Sequence, residues 1–432
     1  MYSWLYDRLN SVHDRLDSVH GTFVIIFVKM IVRGKTALLA MAGVTVAIFT
    51  SVFLAVQMLH VTTSDETKQL QLVHVVIRHG ARTPVSTYPN DPYINATLFP
   101  IGWGQLTNEG KLSLFNIGKF LRERYGSFLG TYYSPDKFYT QSTDTDRTKA
   151  SMQLVNAGLW PPESVQKWGP IDWQPIPVQS EPLDQDMLLL VRQPCAQYHI
   201  ERDRIMKSEE VQKLFQEYEP LFREITEITG QNVSDFDDIQ DVFSTIQAEE
   251  SFNLILPEWT KSYYPDKMLR PTILSYVLNA YNDKMNRLKR GTILFFPFIL
   301  GVLLKKIITD WTDKTNGTLS PTDRQAFLYG GHDSTISNLM RTLKVWDPQL
   351  PVYGITVLLE LYKDLTTDAY GVEIYLRNNT EVPPYKMTIP GCDSFCPLEK
   401  LLELTKNVIP ENWEEECKTD DATYAVPDLG RP

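Results

Sequence analysis

Cysteine is nearly absent, with four in 432 residues, and histidine is scarce, with seven. Only His74, His79, His199 and His332 follow residue 60. So few histidines make three or four metal ligands hard to assemble, which argues against a zinc hydrolase. No G-x-S-x-G elbow is present, so the usual serine nucleophile turn of an α/β-hydrolase is missing. "RGKT" at Arg33 ends like a P-loop, but the earlier glycine such a loop needs is Lys29. Internal repeats, heptad runs and low-complexity tracts are also missing. Positive charge is in deficit, with a formal net charge of −11. Residues 1–61 hold Arg8, Arg15, Lys29, Arg33 and Lys35 against Asp7, Asp14 and Asp17, which leaves 37 basic and 50 acidic residues beyond them. That balance argues against nucleic acid as a partner, because binding DNA or RNA needs a basic footprint.

One long hydrophobic run is present. Residues 36–59, TALLAMAGVTVAIFTSVFLAVQML, are 24 residues without a charge. About 20 apolar residues span a bilayer as a helix, so the run predicts a transmembrane segment. Arg33 and Lys35 precede it and "TTSDE" follows, which predicts a cytoplasmic segment over 1–35 and a lumenal or extracellular remainder. The reading is an uncleaved type II signal anchor. A cleaved signal peptide is the second option, since Met30 begins "MIVRGKT". All four cysteines lie beyond the run, and an even number in an exported chain predicts disulfides. Cys392 and Cys396 would close a small loop and leave Cys195 to meet Cys417. A metal site is the alternative, but no histidine lies near either pair. Sequons at Asn95, Asn232, Asn316 and Asn378 are candidate glycosylation sites.

"LVHVVI" at 72–77 is a near-continuous apolar run, which predicts a strand buried on both faces of a parallel sheet. Thr107 is a predicted N-cap, and Leu114, Ile117, Leu121 and Phe128 follow at helical spacing. "KFYTQSTD" and "QAFLYGGHD" read as two further strands, the second followed by another helix. Strands alternating with helices predict an α/β fold with a mainly parallel sheet flanked by helices. Residues of about 180–300 read as amphipathic helices without strand signals, an inserted, smaller all-α subdomain within a catalytic domain over 68–432. "ITVLLELY" and "YGVEIYLRN" predict a hairpin at the sheet edge.

Three predicted strand ends have unusual contents: Arg78-His79-Gly80-Ala81-Arg82, Asp144 to Arg147, and His332-Asp333. Ligands of open α/β sheets bind beyond the carboxyl ends of strands, so the three ends point to one cleft. Guanidinium forks match phosphate oxygens, and Arg78, Arg82 and Arg147 together would clamp a phosphoryl group and neutralise its charge without a metal. His79 is then the candidate nucleophile, kept neutral in acid by the surrounding cations. Asp333 is the acid beside the site that could protonate a leaving alkoxide. Gly80 is expected to let the backbone approach the phosphate. Plainer readings exist for each group. R-H-G is common in solvated loops, Arg147 could pair with Asp144 or Asp146, and Asp333 could be an N-cap. His74 reads as a packed core residue and His199 as a structural residue of the insert. Singly these readings survive, but together they require three coincidences at strand ends.

On these residues the sequence resembles the histidine acid phosphatase family, the group that includes the prostatic and lysosomal acid phosphatases. "RHGARTP" is similar to its R-H-G-x-R-[TS]-P signature, "GWGQLTNEG" to its G-x-G-Q-L-T element, "STDTDRT" to its second arginine motif and "GGHDST" to its distal His-Asp motif. The four occur in the family's order. The resemblance implies a phosphoglycerate-mutase-like core and a metal-independent acid phosphatase with no cofactor. It implies that His79 becomes a phosphohistidine, that Arg78, Arg82, Arg147 and His332 bind phosphate, and that Asp333 protonates the leaving group. Implied substrates are small phosphate monoesters, with phosphoproteins or phospholipids as further options. Family members are often dimers, which makes a homodimer a further expectation. The implied location is lumenal or extracellular on a type II anchor, or secreted or lysosomal if the segment is cleaved. Two alternatives stand beside this: a phytase or inositol-polyphosphate phosphatase of the same superfamily, and a catalytically retired surface-binding protein. The acidic ectodomain weighs against a highly anionic substrate. Many vertebrate members have three disulfides, whereas this chain has cysteines for two, which leaves the insert less tethered.

Overall fold

The computed structural model describes residues 67–190, 195–289, 303–378, 382–421 and 424–427, and the backbone of 292–295 and 298–301. The expected cytoplasmic (1–35) and membrane-spanning (36–59) segments lie outside the described residues. Among the described residues no helix is long and apolar enough to cross a membrane. The larger elements run β1 (Lys68–Arg78), α1 (Asn108–Leu129), β2 (Phe138–Ser142), α2 (Asp146–Leu159), α3 (Ala196–Met206), α4 (Glu209–Thr229), α5 (Phe236–Ser251), α6 (Thr260–Tyr263), α7 (Asp266–Leu278) and α8 (Asp283–Leu288). They continue β3 (Thr292–Phe295), β4 (Phe298–Gly301), α9 (Leu303–Asn316), β5 (Ala326–Gly331), α10 (Asp333–Thr342), β6 (Thr356–Asp364), β7 (Tyr370–Arg377), β8 (Tyr385–Met387), β9 (Cys396–Pro397), α11 (Leu398–Thr405) and α12 (Trp413–Cys417).

β1 lies inside a seven-stranded sheet ordered β2-β5-β1-β6-β7-β8, with β9 also on β7. Its side chains alternate between two cores. Leu72 and Val76 enter one with Trp311, Phe327, Ile336 and Leu339. Val73, Val75 and Ile77 enter the other with Leu114, Ile117, Met152 and Val155. A strand covered by helices on both faces must be apolar at nearly every position, which is the pattern of residues 72–77.

The sheet is mixed, not mainly parallel. β2, β5 and β1 are parallel, but β6 runs antiparallel to β1, β7 to β6, and β8 and β9 to β7. Burial on both faces makes a strand apolar whatever the direction of its neighbours, so the pattern of β1 could not reveal that β6 enters reversed. The β6–β7 hairpin is present but is not the edge, because β8 and β9 pair beyond it.

Helices α3 to α8 follow one another between β2 and β3 and pack around Val211, Phe222, Ile225, Phe236, Ile239, Phe243 and Ile246. Among the ties that hold this helical insert are a disulfide and a docked loop. The Cys195–Cys417 disulfide joins the residue before α3 to the end of α12, 222 positions apart. The loop after Arg82 docks through Asn90, whose N–H donates to the Thr229 carbonyl at 2.9 Å and whose Nδ2 donates to the Ile228 carbonyl at 2.9 Å. Cys392–Cys396 closes only a short loop in the region after β8.

Candidate active site

Three parallel strands end at one level. Arg78 pairs with Gly331 and Ser142 with Gly330 in register. The residues immediately past these ends, His79, His332 and Thr143, therefore meet. His79 N–H donates to the Gly331 carbonyl at 3.0 Å, and the two imidazole centroids are 5.5 Å apart. Glycine is required at 330, where a Cβ would come within 2.4 Å of Met152 Cγ. That close approach seats α2 against β5, and Arg147 lies at the start of α2. Gly80 packs closely on α1: its Cβ would meet the Gly110 carbonyl at 2.8 Å. Thr107 caps α1, accepting from Gly110 N–H at 3.1 Å, and donates its own N–H to the Ala81 carbonyl at 3.0 Å. The G-x-G-Q-L-T element thus buttresses the loop that carries Arg82.

The three arginines converge although they repel one another. Arg78 is 3% exposed, Arg82 7% and Arg147 8%. The Nε of each is buried without a hydrogen-bond partner among the described residues. Arg78 pairs with Asp333 Oδ2 at 3.0 Å, donates to the Pro351 carbonyl, and lies 4.4 Å over the Tyr353 ring. Burial, then the Arg82 charge, push Arg147 down to about 10, so it stays charged in acid or at neutrality. Asp144 and Asp146 pair with Lys149, at 2.8 and 3.9 Å, and not with Arg147. Three buried guanidiniums against one aspartate leave an excess of positive charge suited to an anion.

His79 has a defined tautomer. Its Nδ1 is 2.9 Å from the Gly80 carbonyl, which can only accept, so Nδ1 carries the hydrogen and Nε2 the lone pair. Burial, followed by Arg147, Arg78, His332 and Arg82, holds its pKa well below the usual imidazole range. His332 Nε2 lies 2.9 Å from Thr143 Oγ1 and its Nδ1 3.5 Å from Arg147 Nη2. The Asp333 carboxyl is pushed up by burial, but Arg78, His332, the Ser334 N–H and Arg82 outweigh this and leave it below the usual range. Asp333 is the first residue of α10, preceded by His332 as the N-cap. Tyr276, from the helical insert, lies beside Asp333, whose charge adds to burial in raising the pKa of the phenol.

His74 is a core residue, bonded to Asp310 at 3.1 Å and stacked on Phe327. His199, read as structural, is buried in the insert and also lines a cavity that reaches Asp333. Among the sequons, Asn95, Asn232 and Asn316 are exposed, while Asn378 is half-buried and donates to Gln349 Oε1 at 3.3 Å. No three His, Cys, Asp or Glu side chains among the described residues are grouped to hold a metal ion. Sequence reasoning missed Tyr353, Thr143 and Tyr276. Tyr353 precedes β6, and only the reversal of β6 brings that end of it beside Arg78. Thr143 was within reach, as the residue next after β2.

The model of the histidine phosphatase superfamily, branch 2, matches residues 69–377. Prostatic acid phosphatase of Homo sapiens is 35% identical over 368 residues, 84% of this chain and 91% of its own. Venom acid phosphatase Acph-1 of Apis mellifera is 34% identical over 353 residues, 81% of this chain and 88% of its own. Among solved structures, the Citrobacter braakii phytase has a TM-score of 0.57 at 17% identity, covering 81% of this chain and 99% of that one, a likeness of fold alone. With its matched span and these relatives, the chain belongs to branch 2 of the histidine phosphatase superfamily.

Proposed function

We propose that this protein is an acid phosphatase that hydrolyses phosphate monoesters without a metal, through a phosphohistidine at His79. The observation that carries the reading is the buried ring of Arg78, Arg82 and Arg147 around an imidazole whose Nε2 lone pair is left for attack. The phosphoryl group binds among the three guanidiniums, with His332 beside Arg147 as a further contact. Nε2 attacks phosphorus in line, the bond to the ester oxygen breaks, and Asp333 gives that oxygen a proton so that an alcohol departs. Asp333, now a carboxylate, takes a proton from water. The resulting hydroxide breaks the P–N bond and releases inorganic phosphate. An acidic optimum follows from the charges at the site. In the free protein Arg78 and its neighbours hold Asp333 ionised, and an incoming phosphoryl anion offsets those cations and lets the carboxyl protonate. His79 stays neutral in acid for the reason given above.

The phytase alternative is favoured by fold likeness only, whereas the relatives named acid phosphatase are 32–35% identical. Residues 36–59 are read as a membrane anchor or signal that places the catalytic domain outside the cytosol, in line with the disulfides. Fractionation with amino-terminal sequencing separates anchor from cleaved signal. Turnover of p-nitrophenyl phosphate by the full chain tests the reaction. No hydrolysis anywhere from about pH 4 to 7 would sink the reading. Loss of activity in chelator would sink metal independence.

A further inference from the structure

A cavity of about 470 Å³ borders Asp333. One wall is the first turns of α10, with Asp333, Ser334, Ser337 and Asn338. The others come from the helical insert: α3, the start of α5 and the end of α7. The volume is that of a small-molecule site. Asp333 forms part of this wall while its Oδ2 holds Arg78, so the cavity and the arginine cluster meet at this one carboxylate.

The charges around this space are unbalanced. Two cations line it, and both are engaged. Arg202 donates from Nη2 to Asp237 Oδ2 at 2.7 Å and from Nε to Asn279 Oδ1 at 3.1 Å. Lys289 donates to the Asn279 carbonyl at 2.9 Å. Against them stand Asp203 and Asp241, together with Asp237, already paired to Arg202, and Asp235, which caps α5, all from the insert. A buried polar group also points to a ligand. His199 is 6% exposed, lines the same cavity, and its Nε2 makes no hydrogen bond among the described residues. Burial first, then Arg202, lowers its pKa, and the ring offers the cavity a hydrogen-bonding edge.

We infer that this cavity holds the alcohol half of the ester and selects alcohols that carry a cationic group, such as aminoalcohols, over alcohols that carry further anions. The inference rests on the phosphomonoesterase reading and adds to it the chemistry of the leaving group. A second phosphate or a carboxylate on the alcohol meets the aspartates, while the clamp for the transferred phosphate is untouched. The cavity therefore divides esters by the charge of the alcohol, not by the phosphate they share.

The test is kcat/KM for phosphocholine, glycerol 2-phosphate and 3-phosphoglycerate, with p-nitrophenyl phosphate as reference. The expected order is phosphocholine, then glycerol 2-phosphate, then 3-phosphoglycerate, with the extremes differing by roughly three- to tenfold, the size of a solvent-screened charge contact. The double substitution Asp203→Asn, Asp241→Asn should cut the phosphocholine to 3-phosphoglycerate ratio severalfold. Wild-type protein in about 0.5 M salt, where the screening length is roughly 4 Å, should show the same narrowing without any substitution. Equal kcat/KM for the three esters, with p-nitrophenyl phosphate still hydrolysed, overturns the inference and leaves the phosphatase reading standing. A ratio that survives both the substitutions and the salt also overturns it. No turnover of p-nitrophenyl phosphate overturns both.

Discussion

Arg78, Arg82, Arg147 and His332 come from a handful of residues just past three neighbouring strand ends, whereas Tyr276, Asp237, Asn279 and Arg202 come from helices spread over the insert. The first set is gathered by sheet register, which places successive strand ends side by side at fixed spacing. The second set is gathered by helix packing, in which residues far apart in sequence share a wall. The proposed site then has a rigid half, set by sheet register, where the phosphate clamp would lie, and a variable half, set by helix packing. If that division is real, substitutions in the two halves must fail differently.

The largest effect belongs to the rigid half. His79→Ala should lower kcat for p-nitrophenyl phosphate by at least about 10⁴-fold, because no other group near the clamp replaces a covalent nucleophile. Inorganic phosphate should still inhibit the variant, since the arginines remain. Residual activity within tenfold of wild type would remove His79 from the reaction. Asp333→Asn tests the boundary between the halves. It should cost about 10²- to 10⁴-fold on an alkyl ester such as glycerol 2-phosphate, the usual size of a lost general acid. On p-nitrophenyl phosphate, whose phenolate leaves without a proton, the loss should be far smaller. Equal losses on the two esters would assign Asp333 to phosphate binding instead.

The same division explains what could be read from the chain. The clamp was legible because each strand end carries its charges within a few residues: Arg78 to Arg82, Arg147, and His332 with Asp333. An apolar run stopping at such residues is visible without a structure. Tyr353 was not legible, because it lies at the entry to β6, and it reaches Arg78 only because β6 runs antiparallel to β1. His199 was read as structural because nothing in an amphipathic helix shows that the face it occupies borders a cavity rather than a core. The packing of Gly80 on Gly110 was not legible, since a sequence does not show which backbone will press on a glycine.

A smaller effect, on stability, concerns the fastening of the variable half. Replacing Cys195 and Cys417 with Ser should cost roughly 2–5 kcal/mol, because the bond closes a very long loop of chain. Cys392 and Cys396 replaced in the same way should cost much less, since their loop is short. Thermal melts of the two double variants measure the difference. If the division between halves holds, the first variant should also shift KM for different esters unequally while phosphate inhibition stays near wild type.

The smallest effect is a slope. Asp91, in the loop that follows Arg82, and Glu249, in α5, are 3% and 0% exposed and interact as two buried carboxyls across the join between the halves. Burial, then Asp91, pushes Glu249 up to about 8 from an ordinary 4.5. Thr87 donates to Asp91 Oδ2 and the Tyr93 N–H to Oδ1, which leaves Glu249 to carry the proton the pair shares. Burial and the two carboxyls also raise the Tyr88 phenol beside them. Between about 4.5 and about 8 the folded chain then holds a proton at Glu249 that the unfolded chain has lost, so this group makes stability fall as pH rises. His79, His74 and His199 act the other way, because their folded pKa values are lowered and the unfolded chain binds the extra protons up to about 6.5. The two signs separate above that point. From about pH 7.5 to 8.5 the unfolded histidines are mostly deprotonated and contribute little, and the urea midpoint of the wild-type protein should fall. Glu249→Gln keeps a donor toward Asp91 and cannot ionise, so its midpoint should stay level over the same range. A wild-type midpoint that is flat or rises there would show that the two carboxyls do not share a proton, and that the join between the halves is held by the backbone contacts of Asn90 instead.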